Sequence, residues 1–241
     1  MNNKTTRTRF LSAVFFIPGL VLSGLLSAGG LDLGMFHVRR DILCVTEGAI
    51  GQTQDQQLSV DTPKMRAYVT AWASQTIEAQ FTYLGSTGNE ARLGSGELRR
   101  QFGLKLRAQD PCNLVYAMWR IEPESRLVVS VKANPGQHTS SECGNRGYRN
   151  IKPIRSTQVP LLRPGDSHTL RAEMNGEQLS VWADRSVVWE GTVGPEALQF
   201  DGPVGIRSDN AKLVIELQVG EFPGNHPMHL IPCKSESPES E

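Results

Sequence analysis

The hydrophobic and polar positions of the chain follow two patterns that meet near residue 31. Residues 10–31 form an apolar run without a charged side chain. From residue 41 onward, short runs rich in β-branched and aromatic residues are separated by turn residues, and no stretch keeps a 3.6-residue period. This pattern predicts an all-β domain with two sheets in a jelly roll. The predicted strands are 41–46, 66–72, 75–84, 99–109, 113–121, 126–132, 168–174, 178–183, 187–190, 204–207 and 213–219.

One β-hairpin is indicated directly by the sequence. Asn175 and Gly176 stand between two alternating segments and could supply the left-handed pair of a type I′ turn. In the second segment, alternation places Leu179, Val181 and Ala183 on one face and Trp182 on the other, polar face.

The N-terminal run indicates export. Lys4, Arg7 and Arg9 precede the run, which would hold the N-terminus in the cytoplasm and lead the rest of the chain across the membrane. The run is long enough, at ~1.5 Å per residue, to span a ~30 Å hydrocarbon core. A cleaved signal peptide and a retained anchor both fit, and the length favours the anchor. The domain would then be anchored outside the cytoplasm, or secreted or periplasmic if the segment is cleaved.

The predicted organisation is therefore a signal peptide or membrane anchor at 1–30, a β-sandwich at 31–222, and a Pro-rich, acidic and mostly disordered tail at 223–241. The 241-residue chain has 25 basic and 25 acidic residues. Three of the basic residues precede the apolar run, so the exported part is slightly acidic. This balance gives no electrostatic reason to expect a nucleic-acid partner.

All four cysteines lie in the exported part, where thiols tend to oxidise. Four cysteines allow three pairings. Cys44 lies in the first predicted strand and Cys233 just after the last, and the two ends of a β-sandwich are often neighbours. We therefore predict the disulfides Cys44–Cys233 and Cys112–Cys143.

The C-terminal half resembles a known family. Residues 168–191, which end in Val188-Trp189-Glu190-Gly191, are followed by Gly202-Pro203-Val204-Gly205 and a final strand. This order is similar to the end of a concanavalin A-like (laminin G-like) domain, and in particular to the bacterial 3-keto-disaccharide hydrolase-like family, formerly a domain of unknown function. The resemblance implies a jelly-roll β-sandwich with carbohydrate as the leading ligand class. It does not imply activity, because this architecture hosts lectins, hydrolases and lyases alike.

Signs of catalysis are weak in the sequence. The Glu-x-Asp-x-Glu strand of family 16 glycoside hydrolases is absent, and so is a Gly-x-Ser-x-Gly motif. Glu122 and Glu124 flank Pro123 at an expected turn, where they are better explained as solvated residues than as a retaining pair. The remaining catalytic candidates are Glu142, His138 and Glu122.

Two regions are candidates for ligand binding. The first is the polar, glycine-rich segment 132–150, which carries amide, guanidinium and aromatic groups suited to sugar hydroxyls. Its polar groups could equally serve the loop's own backbone. The candidate ligand-binding residues there are His138, Glu142, Asn145, Arg146 and Tyr148.

The second region is the strand 113–121, whose alternation places Tyr116, Arg120 and Glu122 on one face. In the alternative interpretation Tyr116 belongs to the core and Arg120 pairs with Glu122 at an edge. Among the tryptophans, Trp182 is the best candidate for a ligand contact because its neighbours on that face are polar.

No metal or cofactor is expected. His226, His229 and Cys233 form the only cluster of metal-ligand types, in a Pro-rich stretch without a supporting second shell. No calcium-binding motif occurs, although Asp201 and the Asp209-Asn210 turn could contribute oxygen ligands to a structural calcium ion.

Two functions therefore remain. The favoured one is a non-catalytic cell-envelope module that binds a glycan or another surface ligand. The alternative is a glycoside hydrolase or lyase that acts on (3-keto-)disaccharides or glycosides.

Overall fold

The computed structural model describes residues 1–2, 34–70, 74–220 and 232–233. These residues form two antiparallel sheets, which confirms the predicted all-β class. Sheet A contains, in spatial order, β11 (Arg155–Ser156), β14 (Ser186–Thr192), β13 (Gln178–Ala183), β12 (Ser167–Asn175), β6 (Thr76–Ser86), β16 (Ala211–Gly220), β4 (Leu58–Val60) and β3 (Gly51–Gln52), with β1 (Met35–His37) also paired to β16. Sheet B contains β10 (Tyr148–Asn150), β9 (Arg126–Lys132), β8 (Asn113–Glu122), β7 (Arg100–Asp110), β15 (Gly205–Asp209), β5 (Lys64–Val69) and β2 (Leu43–Glu47).

The eleven predicted strands correspond to β2, β5 to β9 and β12 to β16, with ends shifted by a few residues. The predicted start of the first strand is a 3-10 turn at Arg40–Ile42, and residues 71 and 72 lie outside the described part of the chain. A second 3-10 turn covers Pro195–Gln199, and α1 covers Ser140–Cys143. The strands that sequence analysis missed, β1, β3, β4, β10 and β11, have only two or three residues each, too few to show a period.

The predicted hairpin forms between β12 and β13, but its turn differs from the expected one. Asn175 is the last residue of its strand, and only Gly176 (φ 57°) is left-handed there. The pair of left-handed residues typical of a type I′ turn lies in the next hairpin, at Asp184 (φ 50°) and Arg185 (φ 67°). The meander of β12, β13 and β14 is thus correct, while the type I′ turn is one hairpin later.

The core lies between the inner faces of the two sheets. Phe81 of β6 packs against Phe102 of β7 and Trp119 of β8, with ring centroids 4.9 and 5.7 Å apart. In sheet A, burial alternates along β6, β12, β13 and β16, so one face is buried and the other is open. In sheet B, most residues of β7 and β8 are buried, including consecutive ones, so both faces of these strands are covered over much of their length.

Both predicted disulfides are present. Cys44 of β2 is bonded to Cys233, and the hydroxyl of Tyr68 on β5 donates a hydrogen bond to the carbonyl of Pro232 (2.9 Å). The second disulfide joins Cys112, in the turn between β7 and β8, to Cys143 at the end of α1. Of the predicted tail 223–241, the structure describes only Pro232 and Cys233, and these contacts attach both to sheet B.

The predicted signal or anchor segment at 1–30 lies almost entirely outside the described residues. In the part of the chain that is described, no helix has the length and apolar character needed to span a bilayer.

Candidate ligand-binding site

The residues predicted to bind a ligand fall in three separate places. Tyr148 and the loop that precedes it lie near the start of β8, where β10 pairs with β9 at Lys132. Arg120 lies near the other end of β8, about 20 Å from Asn113 at ~3.3 Å per residue. Trp182 is on sheet A. The structure therefore does not bring His138, Glu142 and Arg146 together with Arg120 in one cleft.

Glu142 serves its own loop. It occupies the third helical position of a capping box with Thr139, and its Oε2 accepts hydrogen bonds from the backbone N–H groups of His138 and Thr139 (2.8 Å each). These two bonds, together with the one from the Thr139 hydroxyl, lower the pKa of Glu142. A general acid needs a raised pKa, so this geometry argues against Glu142 in that role.

The other polar side chains of the loop are used in a similar way. Arg146 donates to the carbonyls of Glu142 and Cys143, and Asn134 donates to the carbonyls of Cys112 and Arg146. His138 Nδ1 lies 2.8 Å from Asp110 Oδ2, which ties the loop to the end of β7. Asn145 is exposed. The loop's polar groups thus stabilise the conformation of the loop itself. This agrees with the interpretation of the sequence in which they serve the loop's own backbone.

Tyr116 and Tyr148 do lie together on the outward face of sheet B. Their rings stack with centroids 6.1 Å apart, and the guanidinium of Arg207 lies 5.0 Å from the Tyr116 centroid and donates to the Tyr148 hydroxyl (3.3 Å). Lys132 Nζ lies 5.2 Å from the Tyr148 centroid. Burial raises the pKa of Tyr116, whereas for Tyr148 the effect of burial is outweighed by the positive charges of Arg207 and Lys132, which lower its pKa.

A buried carboxylate completes this cation–tyrosine network. Asp209 accepts hydrogen bonds from Arg66 (2.8 Å), Arg207 (2.8 Å) and Gln101 (2.6 Å). Burial alone would raise the pKa of Asp209, but the charges of Arg66 and Arg207 dominate and lower it to about 2. Because the polar atoms of Asp209 are used within the network, this part of the face stabilises the fold.

The acids at the end of β8 are engaged with arginines. Glu122 Oε1 accepts from Arg100 Nη1 (2.5 Å) and not from Arg120, and Glu124 pairs with Arg126 at 3.2 Å. The Glu122 and Glu124 side chains are exposed, in agreement with the interpretation as solvated turn residues. Neither side chain is enclosed in a pocket that excludes water.

An open pocket lies instead on the outward face of sheet A. It has a volume of about 340 Å³ and is named here the Trp182 pocket. Its lining residues are Glu78, Thr169, Arg171, Trp182 and Arg185.

Strand register explains why these side chains meet. Arg171 of β12 is directly opposite Glu78 of β6 on one side and Trp182 of β13 on the other. All three point outward because Ile77, Ala172 and Val181, their neighbours along the strands, are buried in the core. The type I′ turn then brings Arg185 to the rim, and this turn is fixed by Asp184, which accepts from the Thr169 N–H and contacts His168.

The chemistry of the Trp182 pocket combines one aromatic surface with exposed charges. The Arg171 guanidinium lies 5.7 Å from the Trp182 ring centroid, within the range of a cation–π contact. Arg171 also lies 3.9 Å from Glu78 and 3.2 Å from Glu173. All three charged side chains stay 30–44% exposed, so their remaining donors and acceptors face solvent.

The polar neighbours of Trp182 in sequence indicated this residue but not its partners in the pocket. Alternation in β12 together with the hairpin register could have placed Arg171 beside Trp182. Glu78 could not be found in this way, because it reaches the pocket through a pairing between strands about ninety residues apart in sequence.

The structure also places the metal candidates. Asp209 is used in the cation–tyrosine network, and the Asn210 amide bonds the backbone of Ala91 and Arg99, so neither side chain is available to a calcium ion. Within the described ranges, no three His, Cys, Asp or Glu side chains converge as metal ligands. His226 and His229 lie outside the described residues.

Comparison with known proteins gives no family assignment. No family model matches the chain, and neither does any curated protein. Among solved structures, a carbohydrate-binding module from Bacillus subtilis is similar with a TM-score of 0.49 and 15% identity, over 72% of this chain and 91% of that chain. Domain 4 of an extracellular arabinanase from Geobacillus stearothermophilus is similar with a TM-score of 0.44 and 12% identity, over 74% of this chain and 82% of that chain.

A galectin from Caenorhabditis elegans has a TM-score of 0.39 and 11% identity, over 71% of this chain and all of that chain. At such identities and TM-scores these similarities transfer no function. The two-sheet architecture described above rests on the strands of this chain alone.

Proposed function

We propose that this chain is an exported, non-catalytic β-sandwich module that binds carbohydrate through the Trp182 pocket. The observation that carries the proposal is the row Glu78, Arg171 and Trp182, in which an outward aromatic ring lies beside partly exposed charged side chains. The C–H face of a sugar ring packs on an indole, while guanidinium and carboxylate groups bond its hydroxyls. Sites of this kind, with apolar surface and a few placed polar groups, are typical of small-ligand binding.

Export is supported by the two disulfides, because such bonds persist in oxidising compartments. Attachment to the membrane through residues 10–31 remains a prediction. So does membership of the 3-keto-disaccharide hydrolase-like family.

The non-catalytic part of the proposal rests on the acids. Glu122 and Glu124 are paired with arginines, and Glu142 is held ionised by backbone donors. Glycoside hydrolysis needs one carboxyl with a raised pKa beside a second carboxylate. Glu122, Glu124 and Glu142 are not placed in this way, so the alternative of a glycoside hydrolase or lyase is less well supported.

A glycan array with the full chain tests the proposal. We expect binding to a subset of glycans, and Trp182→Ala to weaken it by roughly 10- to 100-fold, the usual cost of removing an aromatic anchor. Trp182→Phe should retain part of the affinity because a stacking face remains. Tyr148→Ala is the matched control, an exposed aromatic residue of the other sheet, and should bind as the wild type does.

Two results would overturn the proposal. One is an array without signal at any protein concentration. The other is loss of binding in Tyr148→Ala with full binding in Trp182→Ala. Release of sugar from a bound glycan would contradict the non-catalytic part alone.

A further inference from the structure

We propose that a second cleft, distinct from the Trp182 pocket, binds an oxyanion: the carboxylate, sulfate or phosphate group of a ligand. The cleft has a volume of about 490 Å³ and lies along the first residues of β9, between the end of β8 and segment 150–159. It is named here the Arg120 cleft. Its polar lining includes Arg120, Arg126, Asn150, Ser156 and Gln158.

The charge of the Arg120 cleft is one-sided. It is lined by two arginines, and none of its described lining residues is an aspartate or a glutamate. Arg126 has a partner outside the lining, Glu124, but both side chains of that pair are more than half exposed. Exposed pairs of this kind contribute little and exchange readily, so Arg126 stays available to a ligand.

Arg120 is the more informative residue. Within the described part of the chain its guanidinium forms no ion pair and no side-chain hydrogen bond, and its Nε is buried without a partner. By contrast, the nearby Arg99 and Arg100 each pair with a glutamate. A buried donor without a partner is costly, and a buried cation without one is costlier.

The electrostatics agree with this geometry. Burial, together with the like charges of Arg99 and Arg126, lowers the pKa of Arg120 to about 10, against the opposing charges of Glu97 and Glu124. A negatively charged group placed between Arg120 and Arg126 would offset the cost of keeping these two positive charges close together. The planar guanidinium matches the paired oxygens of a carboxylate, sulfate or phosphate.

Neutral donors complete the site. The side chains of Asn150, Ser156 and Gln158 form no hydrogen bond with any described residue and line the same cleft. Amide and hydroxyl groups can bond the remaining oxygens of the anion. The Arg120 cleft shares no lining residue with the Trp182 pocket, so this inference stands even if the proposed function fails.

Calorimetric titration of the full chain tests the inference at constant ionic strength, with inorganic sulfate, inorganic phosphate, glucuronate and neutral glucose as probes. We expect at least one oxyanion to bind and glucose not to bind at the Arg120 cleft. Arg120→Gln should weaken that binding by about tenfold or more, as expected for loss of a charge-assisted contact. Arg39→Gln, which changes an exposed arginine on another part of the molecule, should leave it unchanged.

Thermal unfolding without added anion excludes a trivial loss of binding. If Arg120 is an unpaired cation, Arg120→Gln should melt at the wild-type temperature or above it, whereas a structural arginine would lower that temperature. Arg126→Gln is a second variant with an exposed side chain and should weaken binding several-fold.

The pattern of probes identifies the source of the anion. Binding of sulfate or phosphate alone indicates a free ion, and binding of glucuronate alone indicates an acidic sugar. The inference is overturned if no oxyanion binds the wild type at millimolar concentration, or if both arginine variants bind as the wild type does.

Discussion

The outward faces of the two sheets carry similar side chains in opposite environments. On sheet B, Arg66, Arg207 and Asp209 are buried or nearly so, and Arg207 also contacts the stacked tyrosines. On sheet A, Arg171 lies beside Trp182, and Arg171 and its partners Glu78 and Glu173 remain partly exposed. Both faces combine arginine, carboxylate and aromatic groups, so residue type alone does not distinguish them.

The difference teaches that exposure decides what such a cluster does. Charges removed from water must be paired within the protein, and the pairing then fixes the fold. Charged groups left in water keep hydrogen-bond donors and acceptors that are not used within the protein. These groups can form hydrogen bonds with a ligand. We therefore expect substitutions in the Asp209 network of sheet B to affect stability and substitutions at the Trp182 pocket of sheet A to affect binding.

The largest expected effect concerns Asp209. Asp209→Asn removes the charge that neutralises Arg66 and Arg207 and should lower the free energy of unfolding by about 3–5 kcal/mol. Urea unfolding of the wild type and of Asp209→Asn measures this difference in the free energy of unfolding. The matched control is Glu173→Gln, which removes the acid from an exposed arginine pair on sheet A and should cost at most about 1 kcal/mol. Equal costs in the two variants would remove the contrast between the faces.

A smaller effect is expected in the dependence of stability on pH. The pKa of Asp209 is lowered to about 2 in the folded state, below its ordinary value in the unfolded chain. Its contribution, about 2 kcal/mol, is therefore fully present above about pH 5 and is lost as the pH falls toward 2. Unfolding free energies measured over this range should decline more steeply in the wild type than in Asp209→Asn. Glu173→Gln should follow the wild-type curve, and a flat wild-type curve would contradict the role of Asp209.

The smallest expected effect on stability belongs to Glu78. Glu78→Gln alters a long, partly exposed contact with Arg171 at 3.9 Å, so the free energy of unfolding should change by less than about 0.5 kcal/mol. Glycan affinity should nevertheless fall several-fold, because an acceptor at the Trp182 pocket is lost. Parallel unfolding and glycan titrations separate the two quantities. A stability loss without a binding loss would place Glu78 among the structural charges.

Local sequence patterns were sufficient for most of the fold. Alternation predicted the buried and open faces of β13, and turn residues marked the hairpins. The faces of strand β8 are harder to predict because both are buried. Leu114, Tyr116 and Met118 lie on one face and Val115 and Trp119 on the other, so both faces are largely apolar. Alternation then cannot tell which face belongs to the main core.

The site was less predictable because its partners are distant in sequence. Trp182 could be proposed from its polar neighbours, but Glu78 comes near it only through Arg171, by a strand pairing that no local pattern encodes. The network around Asp209 was also hard to predict. Its hydrogen-bond partners Arg66, Gln101 and Arg207 lie on three different strands. The polar composition of segment 132–150 suggested a ligand-binding loop. In the structure, several of its polar side chains form hydrogen bonds within the loop itself.

The disulfide between Cys44 and Cys233 has a consequence for how the domain responds to proteolysis. Because it links residues 189 positions apart, almost the whole domain is one closed covalent ring. A protease that cuts one exposed loop, for example within residues 87–99, opens the ring but releases no fragment. The domain therefore survives single cleavages as one covalently connected molecule, until a reductant breaks that bond.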